Sequence, residues 1–187
     1  MTATLTLSPT DLTGTYALDP AHTRIGFSAR HAMVTKVRGA FNEFEGGATL
    51  DFADPTKSSA YLTIKTASVD TRNEQRDSHL RTNDFFDAPN YPTITFASTE
   101  VRQTGDETFE IVGDLTIKDV TKSVTLSVEF TGAAKDPFGN TRVGFEGSTT
   151  IQRSDYGVNF NAALETGGLL VSEKVTIELE LAAIRQA

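Results

Sequence analysis

The densest group of chemically capable side chains in this sequence lies in residues 70–86, which read DTRNEQRDSHLRTNDFF. Arg76 and His79 are three positions apart in this stretch, so on a helix they share one face. An arginine beside a histidine is suited to binding a phosphate or a carboxylate. The alternative is that Arg76 and Asp77 anchor the segment to the rest of the fold, and the geometry favours anchoring.

Histidines offer a second kind of chemistry, and the chain has three of them, His22, His31 and His79. Three imidazoles could hold zinc with one coordination position open. No two of them have the i, i+2 spacing of a strand or the i, i+4 spacing of a helix, and the chain has no cysteine. The sequence therefore predicts neither a metal site nor a cofactor.

Common catalytic motifs do not occur in this sequence. It contains no glycine-rich phosphate loop, no G-x-S-x-G elbow and no H-E-x-x-H motif. Asp155 and Glu165 have no evident partner for general acid–base catalysis. We therefore predict that the protein is not an enzyme.

The segments around residues 70–86 alternate apolar and polar residues, which is the period of β-strands. About eight such segments occur, mostly joined by short turns and without long helical patterns, so parallel crossovers are disfavoured. An antiparallel sheet of this size removes its edges by closing, and eight strands leave room for a single ligand. We predict an all-β, eight-stranded antiparallel barrel with a short helical insert near residues 71–87. A β-sandwich is the alternative.

The insert has the pattern of a short polar helix. Thr71 and Glu74 match a capping box in which Thr71 is the N-cap. Asp77 and Arg81 form an acid-to-base pair at i, i+4. Because the helix has almost no apolar stripe and is followed by Phe85-Phe86, we predict a plug that is polar toward water and aromatic toward the lumen.

Composition limits the partners of this chain. It has 187 residues, 38% of them hydrophobic, with 12 Phe, no Trp and a net charge of −8. That charge argues against a nucleic-acid partner and against binding to an anionic membrane surface. The chain has no run of about 18 apolar residues, so the sequence does not predict membrane insertion. We expect residues 1–13 to be a flexible arm and residues 14–187 to be a single domain.

Ten segments, in order between about residues 15 and 183, carry a resemblance to a known family. They are His31 and residues 19–27, 37–41, 68–71, 76–81, 84–87, 91–96, 113–117, 120–122 and 153–157. These segments resemble the YceI-like proteins, bacterial lipocalin-like barrels associated with polyisoprenoids and other long-chain amphiphiles. The resemblance implies an elongated antiparallel barrel with a lipid-like chain in its lumen and the charged insert beside the opening.

The compartment is a separate expectation. The first residues, MTATLTLSP, have neither the basic nor the apolar region of a signal peptide. A cytoplasmic location is therefore expected, and a periplasmic or secreted one is the alternative because many relatives are exported.

The combined prediction is a binding or carrier protein for a polyisoprenoid or another long-chain amphiphile. Strand parity and the terminal phenylalanine pair predict the lumen residues Phe27, Phe41, Leu62, Ile64, Phe85, Phe86, Phe96, Ile111, Leu115, Ile117, Leu126, Phe145 and Ile151. His31, Arg76 and His79 are candidates for contacting a polar head group.

Two other functions stay open at this point. One is an enzyme that acts on a lipid-like substrate with His31 and His79 as acid and base. The other is a stress-related structural protein whose interior is ordinary packed core. The sequence also leaves open whether the protein forms a homodimer.

Overall fold

The computed structural model describes residues 7–187, which fold mainly into antiparallel strands. The strands are β1 (Gly14–Leu18), β2 (Arg24–His31), β3 (Thr35–Phe41), β4 (Phe44–Leu50), β5 (Ser59–Lys65), β6 (Val69–Asp70), β7 (Thr93–Gln103), β8 (Thr108–Ile117), β9 (Val120–Lys135), β10 (Thr141–Gln152) and β11 (Lys174–Arg185). Helix α1 (Pro9–Leu12) precedes the strands, and helix α2 (Glu74–Leu80) lies between β6 and β7.

Within the described residues the eleven strands form eight barrel strands. Three of the barrel strands are interrupted, and each of these three consists of two consecutive strands: β1 and β2, β3 and β4, and β5 and β6. The 3₁₀ turn Pro20–His22 separates β1 from β2, residues 42–43 separate β3 from β4, and the 3₁₀ turn Thr66–Ser68 separates β5 from β6. Each barrel strand pairs with the next one along the chain, and β1 pairs with β11, which closes the ring. The predicted all-β, eight-stranded antiparallel barrel with a short helical insert is confirmed.

Alternation along each strand separates the interior of the barrel from its surface. In β9, Val124, Leu126 and Val128 are buried or partly buried, whereas Thr125 and Ser127 between them are exposed. Successive side chains of a strand point to opposite faces, so this pattern gives β9 an apolar inner face and a polar outer one. The same parity in the other strands places the apolar core inside the ring.

Helix α1 and strand β1 form a buried cluster at one end of the barrel. Ser8 and Asp11 form a capping box, in which the Ser8 hydroxyl accepts from the Asp11 amide (3.2 Å) and the Asp11 carboxylate accepts from the Ser8 amide (2.9 Å). The helix buries Leu12, whose carbonyl accepts a 2.6 Å hydrogen bond from the Tyr16 hydroxyl. Leu12 and Tyr16 belong to one buried cluster with Val143.

This end differs from the flexible arm expected over residues 1–13. Residues 9–12 are helical, and Leu12 is buried against the barrel. The sequence pattern of the arm is too short and too polar to reveal a single buried leucine. Residues 1–6 of the expected arm lie outside the described residues.

Helix α2 lies at the opposite end, and it begins two residues later than predicted. The Asn73 side chain accepts a 2.9 Å hydrogen bond from the Arg76 amide, which makes Asn73 the N-cap. The predicted capping box of Thr71 with Glu74 is therefore wrong. The Thr71 hydroxyl bonds to the side chain of Asp77 instead.

The predicted ion pair between Asp77 and Arg81 is also wrong. Asp77 is 4% exposed, and one of its carboxylate oxygens accepts from both the amide and the hydroxyl of Thr71. The Arg81 side chain donates to the carbonyls of Ala67 (2.9 Å) and Val69 (3.4 Å) instead. Both side chains thus attach the insert to residues 67–71, which include β6.

A charged network on the outer face ties the interruption between β1 and β2 to the β9–β10 turn. The Arg142 guanidinium donates to Asp19 (2.6 Å) and to Asp136 (2.8 Å). The hydrogen bond from Arg142, followed by that from His22, holds the pKa of Asp19 at about 2. Burial raises the pKa of Asp136, but hydrogen bonds from Arg142 and Asn140 outweigh it, so the net pKa is below its usual value.

We expect Arg142→Met to weaken the dependence of stability on acid. The Asp19 carboxylate has a pKa of about 2 in the fold against 3.8 ordinarily, so its stabilising effect is complete above about pH 4 and is lost as the pH falls through 2. The variant should have a lower Tm at pH 7 and a shallower fall of Tm between pH 4 and pH 2. Thermal unfolding followed by circular dichroism measures both.

The matched control is Lys65→Met, which removes an exposed ion pair with Glu43 (3.2 Å). Its acid profile should match that of the wild type. A wild-type slope retained in Arg142→Met would contradict the assigned role of this network.

Candidate ligand-binding cavity

The interior of the barrel holds a cavity of about 310 Å³ with an almost wholly apolar wall. Its wall includes all the apolar residues predicted from strand parity and from the insert. They are Phe27, Phe41, Leu62, Ile64, Phe85, Phe86, Phe96, Ile111, Leu115, Ile117, Leu126, Phe145 and Ile151. That these residues touch a ligand stays a prediction.

The last strand supplies wall residues that the predicted set omits. In β11, Val175, Ile177, Leu179 and Leu181 line the cavity. Their period-2 spacing is the same signal that identified the residues of the other strands. Parity alone could have included them.

Two phenylalanine rings lie against glycines of neighbouring strands. A Cβ atom on Gly39 would collide with the Phe27 ring, and one on Gly113 would collide with the Phe96 ring. Glycine therefore lets each ring approach the backbone of the wall closely. The rings lie along the wall instead of crossing the lumen, which helps to keep the centre of the barrel open.

The insert closes one end of the cavity with aromatic side chains. The ring centroids of Phe86 and Phe41 are 5.7 Å apart in an edge-to-face arrangement. Phe85 lies 5.2 Å from Phe160, a residue of the β10–β11 connection. Leu80, Phe85 and Phe86 all line the cavity, so the end of the insert is apolar toward the lumen.

The charged residues of the insert are bonded to one another. The Arg76 guanidinium donates to the hydroxyl and to the carbonyl of Thr71, both at 2.7 Å. The same Thr71 hydroxyl bonds to the Asp77 carboxylate. These bonds hold the first turn of the insert in place, which favours the anchoring interpretation of Arg76 and Asp77.

The two candidate histidines do not line the cavity. His31 is exposed at the end of β2. His79 forms a 2.8 Å contact with the Asp84 carboxylate and packs edge-on against Phe85 and Phe160, with ring centroids 5.0 Å apart in each case. Arg76 is likewise absent from the cavity wall.

Several polar residues that the predicted site set omits also line the cavity, and two of them, Arg153 and Tyr156, belong to the 3₁₀ turn Arg153–Tyr156. Arg153 is 6% exposed, and its guanidinium donates to the carbonyls of Ser172 (2.9 Å) and Val158 (2.8 Å). Burial lowers the pKa of Arg153, and the charge of Glu173 opposes that effect.

Tyr156 is 2% exposed. Burial raises its pKa to about 12, and the neighbouring charge of Asp155 acts in the same direction. Its phenol is therefore protonated at neutral pH. The signal that could have found the pair is an arginine and a tyrosine three positions apart, directly after an apolar strand.

Two further properties hold for residues 7–187. None of their helices is long and apolar enough to cross a membrane. They contain no cluster of three or more His, Cys, Asp or Glu side chains arranged to hold a metal ion.

A closed antiparallel barrel of eight strands with an apolar lumen and a capped end defines a lipocalin-like class of protein. The family model of the YceI-like domain matches residues 16–183. The chain therefore belongs to the YceI-like family.

Known relatives agree with this assignment. A UPF0312 protein of Staphylococcus epidermidis is 42% identical over 164 residues, which cover 87% of this chain and 93% of the relative. The crystal structure of Burkholderia cenocepacia BcnA matches with a TM-score of 0.78 and 27% identity, over 88% of this chain and 98% of that one. A polyisoprenoid binding domain from Saccharophagus degradans shares the fold, with a TM-score of 0.69 and 16% identity over 91% and 98% of the two chains.

We expect Asp77→Ala to loosen the insert. The change leaves the buried amide and hydroxyl of Thr71 without their carboxylate acceptor, at a cost of about 1–3 kcal/mol in the free energy of unfolding. Urea denaturation measures the loss, and hydrogen exchange should show faster exchange confined to residues 71–88.

Ser78→Ala is the control, because it removes an exposed 3.2 Å bond to Glu74 from the same helix. Its free energy of unfolding should stay within about 0.5 kcal/mol of the wild type. Equal effects of the two substitutions would argue against the anchoring role of Asp77.

Proposed function

We propose that this protein is a non-catalytic carrier that holds a polyisoprenoid or another long-chain amphiphile in the lumen of its barrel. The observation that carries this proposal is the apolar cavity of about 310 Å³ inside the closed ring. Native interiors are close-packed, with few voids larger than a water molecule. An apolar space of this size is therefore better explained as a binding site than as ordinary core.

The size of the cavity suits part of a long chain. An apolar cavity of about 150 Å³ holds one benzene ring, so by proportion the lumen accommodates roughly a dozen carbon atoms. The wall is built from rings and branched aliphatic side chains, which offer dispersion contacts and few hydrogen bonds. The apolar part of the wall would then select a ligand by the shape and length of its chain.

The free energy of binding favours a long apolar chain as the ligand. Burying about a dozen methylenes at about 0.8 kcal/mol each yields roughly 10 kcal/mol before other costs. Association removes about 4–15 kcal/mol through lost translational and rotational freedom. A short apolar molecule would bind weakly because the association cost exceeds the gain from burial. A long chain in a preformed lumen gains enough from burial to offset that cost.

The comparisons support this proposal to different extents. Membership of the YceI-like family supports a barrel that binds an apolar molecule. The Saccharophagus degradans domain is described as polyisoprenoid binding, but at its level of identity it supports the shared fold alone. The cavity therefore carries the argument for the ligand class.

An enzyme that uses His31 and His79 as acid and base receives no support from the geometry. Neither imidazole reaches the cavity wall, and His79 is engaged by Asp84. Proton transfer needs a group within hydrogen-bond reach of the reacting atom. No observation favours this function over carriage.

We expect protein purified without detergent to carry a bound amphiphile. Mass spectrometry of a solvent extract would identify the amphiphile, and native mass spectrometry would give its stoichiometry. A preparation that repeatedly contains no such molecule, and takes up none of the fluorescent fatty acid cis-parinaric acid, would overturn the carrier proposal.

We expect Ile111→Trp to block the lumen. Ile111 lines the cavity in β8, so the larger side chain should occupy space that the ligand needs. Binding of cis-parinaric acid, followed by its fluorescence, should fall at least about tenfold while the free energy of unfolding changes little.

Val112→Trp is the matched control, because Val112 is the next residue of β8 and is absent from the cavity wall. Its binding should remain at the wild-type level. If Ile111→Trp instead lowers the free energy of unfolding by about 1–3 kcal/mol without affecting binding, the interior is a filled core.

A further inference from the structure

The 3₁₀ turn after β10 brings two polar side chains to one end of a largely apolar cavity, whose other polar lining residues, Asp51, Ser58, Ser59 and Tyr61, lie on or beside β4 and β5. Arg153 and Tyr156 are the first and fourth residues of this turn. Side chains at i and i+3 of a 3₁₀ helix are eclipsed, so the two lie on the same side of the turn. Both are buried, and both line the cavity.

The Tyr156 hydroxyl is unpaired. Among residues 7–187 it has no hydrogen-bond partner, although it is fully enclosed. The other deeply buried tyrosine, Tyr16, gives its hydroxyl to the Leu12 carbonyl. A buried hydroxyl without a partner costs free energy, and a ligand atom that accepts its hydrogen bond would remove that cost.

Arg153 brings a positive charge to the same wall without a carboxylate in direct contact. Within the described part of the chain no Asp or Glu oxygen lies within 4.0 Å of its guanidinium, which donates to carbonyls only. The nearest acidic influence, Glu173, accepts a 2.8 Å hydrogen bond from the Ser154 amide. A buried charge without a counter-ion favours an anion beside it.

We propose that Arg153 and Tyr156 form a polar subsite for an anionic oxygen, a carboxylate or a phosphate, at one end of the bound chain. The Tyr156 hydroxyl donates to that oxygen, and the Arg153 charge attracts it. The inference rests on the proposed carrier function and specifies its ligand as an acidic amphiphile. The head group of this ligand lies at the end of the barrel where the connection from β10 to β11 is located.

The test compares ligands that differ only in the head group. Dodecanoate, methyl dodecanoate and dodecyl phosphate displace the fluorescent probe 1-aminoanthracene from the full chain, at pH 7.5 and below the micelle concentration. The wild-type protein should bind dodecanoate or dodecyl phosphate at least tenfold more tightly than the neutral ester. The tighter of the two anions identifies which group fits the subsite.

Tyr156→Phe should weaken binding of the preferred anion about tenfold or more, since a hydrogen bond to a charged group contributes about that factor. Binding of methyl dodecanoate should change less than threefold. The Tm of the ligand-free variant should not fall, because the lost hydroxyl has no partner among the described residues.

Tyr16→Phe is the matched control. It removes a buried tyrosine hydroxyl that already has an acceptor, so its Tm should fall while its preference for the anion is retained. Equal wild-type affinity for anion and ester, or an unchanged preference in Tyr156→Phe, would overturn the subsite and leave the carrier function standing. Failure of all three ligands and of the probe to bind would overturn both.

Discussion

Closure of the sheet is the constraint on which the rest of this structure depends. The first strand pairs with β4 on one side and with β11 on the other, through Tyr16, Ala17 and Leu18 on the β11 side. A closed ring has no free edges and gives every side chain a fixed choice between lumen and solvent. Strand β6 has only two residues, pairs with β3 and is followed directly by the insert. Arg81 of the insert donates to the carbonyls of Ala67, just before this strand, and of Val69 within it. These hydrogen bonds attach the insert to the short strand.

The lumen stays open because bulk is placed at its wall and its two ends instead of its centre. Phe27 and Phe96 lie on glycines of neighbouring strands. At one end α1 and Tyr16 belong to a separate buried cluster, and at the other Phe85 and Phe86 line the cavity. An interior built in this way sacrifices the dispersion contacts of a filled core. A ligand in the lumen would restore them, so occupancy and stability should rise together.

Polar side chains follow two different rules in this molecule. Those of the insert satisfy one another, as Thr71 does with Arg76 and Asp77, so the segment richest in charge has little left to offer a ligand. Two of the polar groups on the cavity wall, Arg153 and Tyr156, come from a short turn that has no high density of charge in the sequence. Arg153 bonds to carbonyls of the β10–β11 connection, and the Tyr156 hydroxyl has no partner within residues 7–187. A segment that is rich in charged residues therefore need not be the one that offers free polar groups to a ligand.

The sequence by itself determined the barrel, its eight strands and many of the apolar side chains on its inner wall. These features follow from period-2 alternation and turn residues, which act over a few neighbouring positions. It failed wherever a side chain chooses among several partners. Thr71 looks like an N-cap from its local pattern, yet its hydroxyl bonds to Asp77 and Asn73 caps the helix. The burial of Leu12 beside Val143 and Ala183 was decided only by the tertiary structure, because ring closure brings together elements that are far apart in the chain. The tertiary structure also decided that the turn of Arg153 and Tyr156 faces the lumen, since their spacing alone indicates a shared side of the turn and not its direction.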